Sequence, residues 1–288
     1  MTLKKRKLIT GWCFILPVVI LLLAFSFYPM LRAVWISLQR GPVRNLQWYG
    51  AGNYLRIFKD KVFWQTLRNN FTYMIFVVPI SLTLALIIAS VLNIRDLRFR
   101  SLFRTLIFLP CATSLVAYSM IFGAMFADYG LINSMLSAIG LPEVGWMSRA
   151  VPARIVMIIA LIWRWTGYYM VFYQSGLQNI DYQIYEAAKI DGANSRHVLF
   201  KITIPLLKPT ILFTMIMAVN SCLQLTDESL NLTNGGPGNA TMTMAHYIYN
   251  LTFIQNPNFG YAASISIVIL VMTAILAIVQ MKVGDSRD

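Results

Sequence analysis

Long apolar stretches alternate with shorter polar ones along the whole chain. A run of about 18 apolar residues is long enough to cross the ~30 Å hydrocarbon core of a bilayer as a helix. The apolar runs predict six transmembrane helices, at Trp12–Ile36, Phe71–Leu92, Leu106–Phe126, Ala153–Tyr173, Thr210–Leu230 and Tyr261–Met281. The prolines inside these runs are interpreted as local kinks, which neighbouring helices of a bundle accommodate.

Composition agrees with this pattern. Of the 288 residues, 58% are hydrophobic and 12% are charged, about half the charged fraction of a typical soluble domain. We therefore predict an all-α integral membrane protein that forms one membrane domain. The net charge of +13 comes from basic residues that flank the apolar runs and face anionic lipid, so nucleic acid is not an expected partner.

The basic residues also predict the orientation. With the N-terminus inside, fourteen lysines and arginines are cytoplasmic and seven are outside, so both termini are expected in the cytoplasm. The first apolar run is too long for a cleaved signal peptide and is interpreted as a signal anchor. The outer segment NYLRIFKDKVFWQTLRNN, residues 53–70, is expected to lie along the membrane surface. These features divide the chain into an N-terminal region, 1–64, and a core, 65–281.

The sequence carries no pattern typical of catalysis or of a metal site. The three cysteines lie within the apolar runs without metal-ligand spacing, and the two histidines belong to no cluster. A membrane enzyme would need paired acids, but the adjacent acids Asp227 and Glu228 have no recognisable catalytic neighbour. A nucleotide-binding GxxxxGK[ST] motif is also missing from the sequence. A channel or a secondary transporter is the alternative, although the inverted repeats common in secondary transporters are not visible.

The segment Tyr185–Pro209, YEAAKIDGANSRHVLFKITIPLLKP, is basic, helix-rich and too polar to span a bilayer. Its apolar stripe predicts a short helix, and Gly192 is suited to the left-handed conformation that ends a helix. Asn194 or Ser195 can cap a second helix, which Pro205 is expected to stop. The segment therefore predicts a cytoplasmic helical hairpin that either lies on lipid or contacts another protein.

This hairpin resembles the EAA loop of ATP-binding-cassette (ABC) importer permeases. The family pattern is EAA, three residues, glycine, nine residues, then I-x-L-P. Matching positions are held by Glu186, Ala187, Ala188, Gly192, Ile202 and Pro205. Ile204 stands where leucine is usual. The stretches LFRTLIFLP, DYGLIN, LTNGGPGNAT and NFGYAA resemble the sugar-permease branch of that family, so the likeness covers nearly the whole chain.

The resemblance implies the fold of a type I ABC importer transmembrane domain in a prokaryotic inner membrane. It implies that the EAA hairpin, residues 177–209, docks in a cleft of a cytoplasmic ATPase dimer. ATP and Mg would be bound by those separate ATPase chains, and this chain would bind no cofactor itself. The other implied partners are a second, homologous permease and an extracytoplasmic solute-binding protein. The residues implied in coupling to the ATPase are Glu186, Ala187, Ala188, Asp191, Gly192 and Pro205.

Polar and aromatic residues at midplane depth predict the substrate path. At about 1.5 Å per residue, Arg164 and Asn220 lie about 15 Å from the ends of their runs, level near the middle of the membrane. Polar groups at that depth normally face a cavity or a partner, and aromatic rings can stack on a sugar ring. The candidate path residues are Trp163, Arg164, Trp165, Tyr169, Asn220, Ser221 and Gln224. Alternatively, Arg164 pairs with Asp227 or with an acid of a partner subunit.

The expected cargo is a neutral sugar, with glycerol phosphate as the alternative. Both belong to the sugar-permease branch that the motifs resemble. A phosphorylated cargo would require paired basic residues in the cavity, whereas Arg164 is the only charged residue deep inside a predicted span. The sequence does not specify which sugar is carried.

Overall fold

A computed structural model describes residues 3–41, 45–94, 97–255 and 257–284. Arg44, Arg95 and Arg287, which enter the predicted charge asymmetry, lie outside these residues. The described helices are α1 Leu3–Leu22, α2 Tyr28–Ser37, α3 Gly52–Lys59, α4 Lys61–Leu92, α5 Arg100–Ala112, α6 Leu115–Met125, α7 Leu131–Ala138, α8 Ala150–Gln178, α9 Tyr182–Ile190, α10 Ser195–His197, α11 Ile204–Leu206, α12 Lys208–Leu223, α13 Asp227–Thr233, α14 Met244–Tyr249 and α15 Phe259–Gly284. Segments of π-helix lie at Leu23–Phe27, Val198–Thr203 and Asn250–Ile254. Two short antiparallel strands, β1 Gln39–Arg40 and β2 Gln47–Trp48, are the only ones in the described part of the chain.

Four of the six predicted spans are single apolar helices in the structure. They extend over Thr10–Ser37, Lys61–Leu92, Ala150–Gln178 and Phe259–Gly284, so all four are longer than the apolar runs that predicted them, most of all Lys61–Leu92, which begins ten residues earlier. The described residues contain six candidate spans if each of two sharply bent helix pairs also crosses the membrane once. The all-α prediction is therefore confirmed, and the number of crossings depends on the bent pairs.

The third predicted span, Leu106–Phe126, is wrong as one straight helix. Helices α5 and α6 meet at an angle of 95°, because Thr113 and Ser114 have extended backbone conformations. The Thr113 hydroxyl donates a 2.7 Å hydrogen bond to the Pro110 carbonyl and so gives the end of α5 a polar partner. Hydropathy does not register this break because the residues on both sides of it, Leu106–Ala112 and Leu115–Met125, are mostly apolar.

The fifth predicted span, Thr210–Leu230, is wrong at its end, because the helix stops within the polar stretch NSCLQLTDES, residues 220–229, that interrupts the apolar run. Helix α12 ends at Leu223, and Gln224 to Thr226 separate it from the short helix α13. At its other end α12 continues back through Leu207 into α11, with a bend of 72°. The polar run QLTDES, residues 224–229, marks the break in the sequence, but hydropathy averaged over a window extends the run across it.

One compact unit of the chain comprises residues 1–60 and 248–270. The Asn53 side chain donates hydrogen bonds to the carbonyls of Ser37 (2.8 Å) and Gln39 (2.7 Å). The predicted surface helix at 53–70 is wrong as one element, because α3 ends before Asp60 and the residues from Lys61 onward belong to α4. The Asp60 carboxylate accepts a hydrogen bond from the Tyr261 hydroxyl, which fixes this break.

The second unit, residues 61–247 and 271–288, holds the long helices α4 and α8, which pack against each other. Ser81, Ala85 and Ala89 recur every four residues on α4 and are fully buried. Small side chains of this kind let two helix backbones approach closely inside a membrane. Helix α5 also approaches α8 closely, since a Cβ atom at Gly167 would lie 2.0 Å from the Ile107 carbonyl oxygen. The core of this unit is therefore built on α8.

Cysteine labelling distinguishes a true crossing by the α5–α6 pair from a re-entrant loop. Arg98 precedes the pair, Tyr129 follows it, and both are exposed. In a variant without native cysteines, we expect Arg98→Cys to react with a membrane-impermeant maleimide only from the cytoplasm. We expect Tyr129→Cys to react only from outside. Labelling of both positions from the same face would show that the pair does not cross the membrane and would contradict six spans.

Candidate functional site

One face of α8 presents the aromatic and charged residues that the sequence predicted at midplane depth. Arg164 stands at the centre of this helix, which runs from residue 150 to residue 178. Leu161, Arg164, Trp165 and Tyr169 follow a spacing of three or four residues, which places them on the same side of a helix. All four line a cavity of about 390 Å³, a size in the range of small-molecule binding sites.

The opposite wall of the cavity is the broken end of α12. Ser221 from its last turn, Gln224 from the break, and Asp227 and Glu228 from the first turn of α13 all line the cavity. Non-helical backbone inside a membrane protein is tolerated where it is buried in protein or lines a cavity. Discontinuous helices are also a recurring way of building solute sites in transporters. The break between α12 and α13 therefore coincides with the polar wall of the cavity.

Two of the predicted path residues do not line this cavity. Trp163 points to another side of α8, where its ring stacks on Tyr118 with centroids 6.0 Å apart and planes within 5°. Asn220 accepts a 2.7 Å hydrogen bond from the Gln224 amide and so orients a residue that does line the cavity. The structure brings the other five predicted residues together around one cavity, with Arg164, Trp165 and Tyr169 on the α8 wall and Ser221 and Gln224 on the opposite wall.

Arg164 forms its ion pair with Glu228. The Arg164 Nε and Glu228 Oε1 atoms are 3.9 Å apart, and the two side chains are 11% and 5% exposed. The alternative that Arg164 pairs with Asp227 is wrong for the described structure, because Asp227 is the exposed member of the acidic pair. The sequence shows Asp227 and Glu228 as two adjacent acids. Their positions in the first turn of α13 place Glu228, and not Asp227, beside Arg164.

Sequence analysis missed the role of Asn70, on α4. Its side-chain amide donates hydrogen bonds to the carbonyls of Cys222 (2.7 Å) and Leu223 (3.3 Å). Its Oδ1 accepts from the Met244 backbone amide at 2.8 Å. The residue is fully buried. Asn70 therefore gives partners to the last carbonyls of α12, which would otherwise be left unsatisfied where the helix breaks.

The loop after α13 is fixed to the same helices. The carbonyls of Asn239 and Met242 accept hydrogen bonds from the Asn69 amide at 3.0 Å and 2.8 Å. The Arg154 Nε on α8 donates to the Ala240 carbonyl at 2.8 Å. The pair Asn69–Asn70, at the start of an otherwise apolar run, was the only sequence signal for these contacts. Residues 222–244 are therefore held by side chains of α4 and α8.

The predicted cytoplasmic hairpin is present. Helix α9 ends as expected at Gly192, which has a φ of +75°, and the Ala193 amide donates to the Ala188 carbonyl at 2.9 Å. This pattern is a Schellman helix end. Asn194 caps the next helix through a 2.8 Å hydrogen bond from the His197 amide to its Oδ1. The choice that the sequence left open between Asn194 and Ser195 is therefore settled.

Two details of the hairpin differ from the prediction. Pro205 does not stop the second helix, because it occupies the first turn of α11, where a missing amide is tolerated. Ala188 is only 8% exposed, so it is not part of the outer surface. Glu186, Ala187, Asp191, Gly192 and Pro205 are exposed, and their contact with a partner stays a prediction.

Replacing Asn70 tests whether its hydrogen bonds to the last carbonyls of α12 stabilise the protein. Asn70→Ala would leave two carbonyls and one amide unpaired in a buried environment, at a cost of about 1–3 kcal/mol for each group. We expect a clearly lower Tm for the purified transporter in detergent. The matched control is Asn231→Ala, because Asn231 is exposed and donates only to the Asp227 carbonyl of its own helix. Equal Tm shifts for the two variants would contradict the assigned role.

A family model of known proteins matches residues 82–284, which include the hairpin and every residue of the cavity from α6 to α13. Its description is "Binding-protein-dependent transport system inner membrane component". The match covers more than half of the chain. It also places the chain in the inner membrane, as predicted.

Relatives and solved structures agree with the family. The chain is 47% identical to the lactose transport system permease protein LacF of Rhizobium radiobacter, over 99% of this chain and 97% of that protein. It is 32% identical to the trehalose/maltose transport system permease protein MalF of Thermococcus litoralis, over 99% and 97% of the two chains. Its fold matches a chain in the crystal structure of a bacterial ABC transporter involved in the import of the acidic polysaccharide alginate. That match has a TM-score of 0.81 and 23% identity, and covers 97% and 96% of the two chains. The predicted type I importer fold is thereby confirmed, and the chain belongs to the family of binding-protein-dependent transport system inner membrane components.

Proposed function

We propose that this chain is a sugar-translocating permease subunit of an ABC importer. It would form the path together with a second, homologous permease. An extracytoplasmic binding protein would deliver a neutral sugar, and a pair of ATPase chains in the cytoplasm would bind ATP and Mg. Several relatives named for sugar transport, including the lactose and trehalose/maltose permeases, support this proposal.

The observation that carries the proposal is the cavity at the broken end of α12. Trp165 and Tyr169 supply aromatic faces from one wall, and Ser221 and Gln224 supply hydroxyl and amide groups from the opposite wall. A sugar presents C–H surfaces that stack on aromatic rings and hydroxyls that donate and accept hydrogen bonds. The cavity combines both types of contact in a space of about 390 Å³.

The hairpin connects this cavity to the cytoplasmic side. Only Asn179 to Asp181 separate α8 from α9. In the second helical arm of the hairpin, the backbone hydrogen bonds run on towards α12. The Leu207 amide donates to the Thr203 carbonyl, and the Ile211 amide donates to the Leu207 carbonyl, both at 2.9 Å. The backbone hydrogen bonds therefore continue through the bend into α12. A displacement of the hairpin by an ATPase would be transmitted to both walls of the cavity, in a rigid-body form of alternating access.

Uptake in cells that carry the complete transport system is the direct test. The panel consists of labelled lactose, maltose and trehalose, with glycerol 3-phosphate as the alternative cargo. We expect uptake of at least one sugar, dependent on this chain, and co-purification of the chain with an ATPase and a second permease. Uptake of glycerol 3-phosphate alone, or purification without an ATPase, would contradict the proposal.

Gln224 and Asn220 test the polar wall of the cavity. We expect Gln224→Leu to reduce sugar uptake about three- to tenfold, because one neutral hydrogen bond contributes about 0.5–1.5 kcal/mol. Asn220→Ala should have a smaller effect, because Asn220 acts by orienting the Gln224 amide. Expression, assembly, apparent affinity and rate are measured for both variants. If both variants assemble and transport sugar as the unmodified protein does, Gln224 and Asn220 do not form part of the sugar-binding wall.

Gly192 tests the coupling hairpin. A Cβ atom at this position would meet no atom within 4 Å, so a substitution acts only through the backbone. We expect Gly192→Val to cost roughly 1–2 kcal/mol in the left-handed turn and to reduce uptake and ATPase co-purification without loss of membrane insertion. Asn tolerates this conformation better than other residues, so Gly192→Asn is the matched control and should retain most of the activity. Full activity of Gly192→Val with an intact ATPase complex would exclude this role of the turn.

A further inference from the structure

The cavity contains more charge than a site for a neutral sugar requires. Three basic or acidic residues line it: Arg164 on α8, and Asp227 and Glu228 on α13. With all three ionised, the wall carries one positive and two negative charges. Burying a lone charge in a membrane protein is costly, and Glu228, at 3.9 Å, compensates the charge of Arg164.

The ion pair leaves hydrogen-bonding capacity unused. A separation of 3.9 Å is too long for a hydrogen bond, and both the Nε and the Nη1 of Arg164 are buried without a hydrogen-bond partner among the described residues. The guanidinium carbon lies 5.1 Å from the Tyr118 ring centroid, a contact that offers the N–H groups no lone pair. Arg164 therefore lines the cavity with a compensated charge, while its Nε and Nη1 donors are enclosed by protein and unpaired among the described residues.

The ion pair of Arg164 and Glu228 affects neutral and anionic sugars differently. The hydroxyl and ring oxygens of a neutral sugar can accept hydrogen bonds from Arg164 without disturbing the charge balance. An anionic sugar would be attracted by Arg164 but repelled by Glu228 and Asp227, and repulsion between like charges is strong where water is excluded. The carboxylate of Glu228 thus cancels the attraction that a buried arginine would otherwise exert on anions.

We propose that Glu228 is a specificity-determining residue, which masks the charge of Arg164 so that the cavity accepts neutral sugars and rejects anionic ones. This inference rests on the proposed function, since it concerns the cargo of the same cavity. Removing Glu228 and removing Arg164 should therefore change the discrimination against anionic sugars in opposite directions. Loss of Glu228 should admit anions, and loss of Arg164 should exclude them more strongly.

Ligand-induced thermal stabilisation of the purified permease–ATPase assembly, without the solute-binding protein, is the test. A ligand that binds the folded state raises the Tm in a concentration-dependent way, so the measurement reports binding to the permease itself. The probes are lactose, maltose and trehalose, each compared with the same sugar oxidised to a carboxylate at C6 of one unit. The quantity compared is the ratio of the apparent affinities for the neutral and the anionic form.

In the unmodified assembly we expect a ratio of at least about ten in favour of the neutral sugar. Glu228→Gln should lower this ratio at least about tenfold, because it keeps the shape and leaves Arg164 uncompensated. Asp227→Asn is the matched control: it removes the same charge from the neighbouring position but leaves the ion pair intact, so its effect should be smaller. Arg164→Gln should raise the ratio, and it keeps the test decisive if Glu228→Gln fails to assemble.

The possible results separate this inference from the function on which it rests. If a sugar is taken up by cells but Glu228→Gln leaves the ratio unchanged, Glu228 does not set the specificity and the inference is overturned. Equal effects of Glu228→Gln and Asp227→Asn would also overturn it, because only the total charge would then matter. If no sugar is taken up by cells and none stabilises the assembly, the proposed function itself is wrong.

Discussion

The cavity depends on one buried side chain that completes an interrupted helix. Inside a membrane, no water is available to satisfy the carbonyls of a helix that stops. Asn70 supplies the missing donor to Cys222 and Leu223 and also accepts from Met244. Because of these three hydrogen bonds, α12 can end at Leu223 and leave the polar residues after it facing the cavity.

The two ends of α12 have complementary roles. At the first end, its hydrogen-bonded backbone continues through Leu207 into the hairpin, so that the hairpin and the cavity wall form one mechanical element. At the second end, the chain breaks and presents polar groups to the cavity. In the proposed mechanism, coupling and solute contact are therefore properties of the same helix.

The ion pair between Arg164 and Glu228 illustrates a compromise between stability and selectivity. A buried ion pair contributes little to stability, because desolvation of both charges offsets much of their attraction. Removing one partner alone is strongly destabilising, so the pair behaves as a unit. Under the proposed specificity, a charge-compensated guanidinium would donate hydrogen bonds to neutral acceptors without selecting anions.

The sequence by itself determined the membrane-spanning class of the fold, the four long helices and the position of the hairpin. These features follow from local properties: apolar runs of sufficient length, a glycine at the left-handed turn and an asparagine at the helix cap. The sequence also named five residues of the cavity wall, because arginine, amides and aromatic rings are conspicuous at midplane depth.

Only the tertiary structure decided where helices break and which polar groups meet. The bend between α5 and α6 escaped hydropathy because the segments on both sides are apolar, whereas the polar stretch NSCLQLTDES marked an interruption after α12 without showing at which residue the helix ends. Trp163 turned away from the cavity, Glu228 rather than Asp227 faced Arg164, and Asn70 reached the end of α12 from another helix. These outcomes depend on the rotation of one helix against another, and contacts between residues 152 positions apart, such as Asn70 and Cys222, leave no periodic pattern in a single sequence.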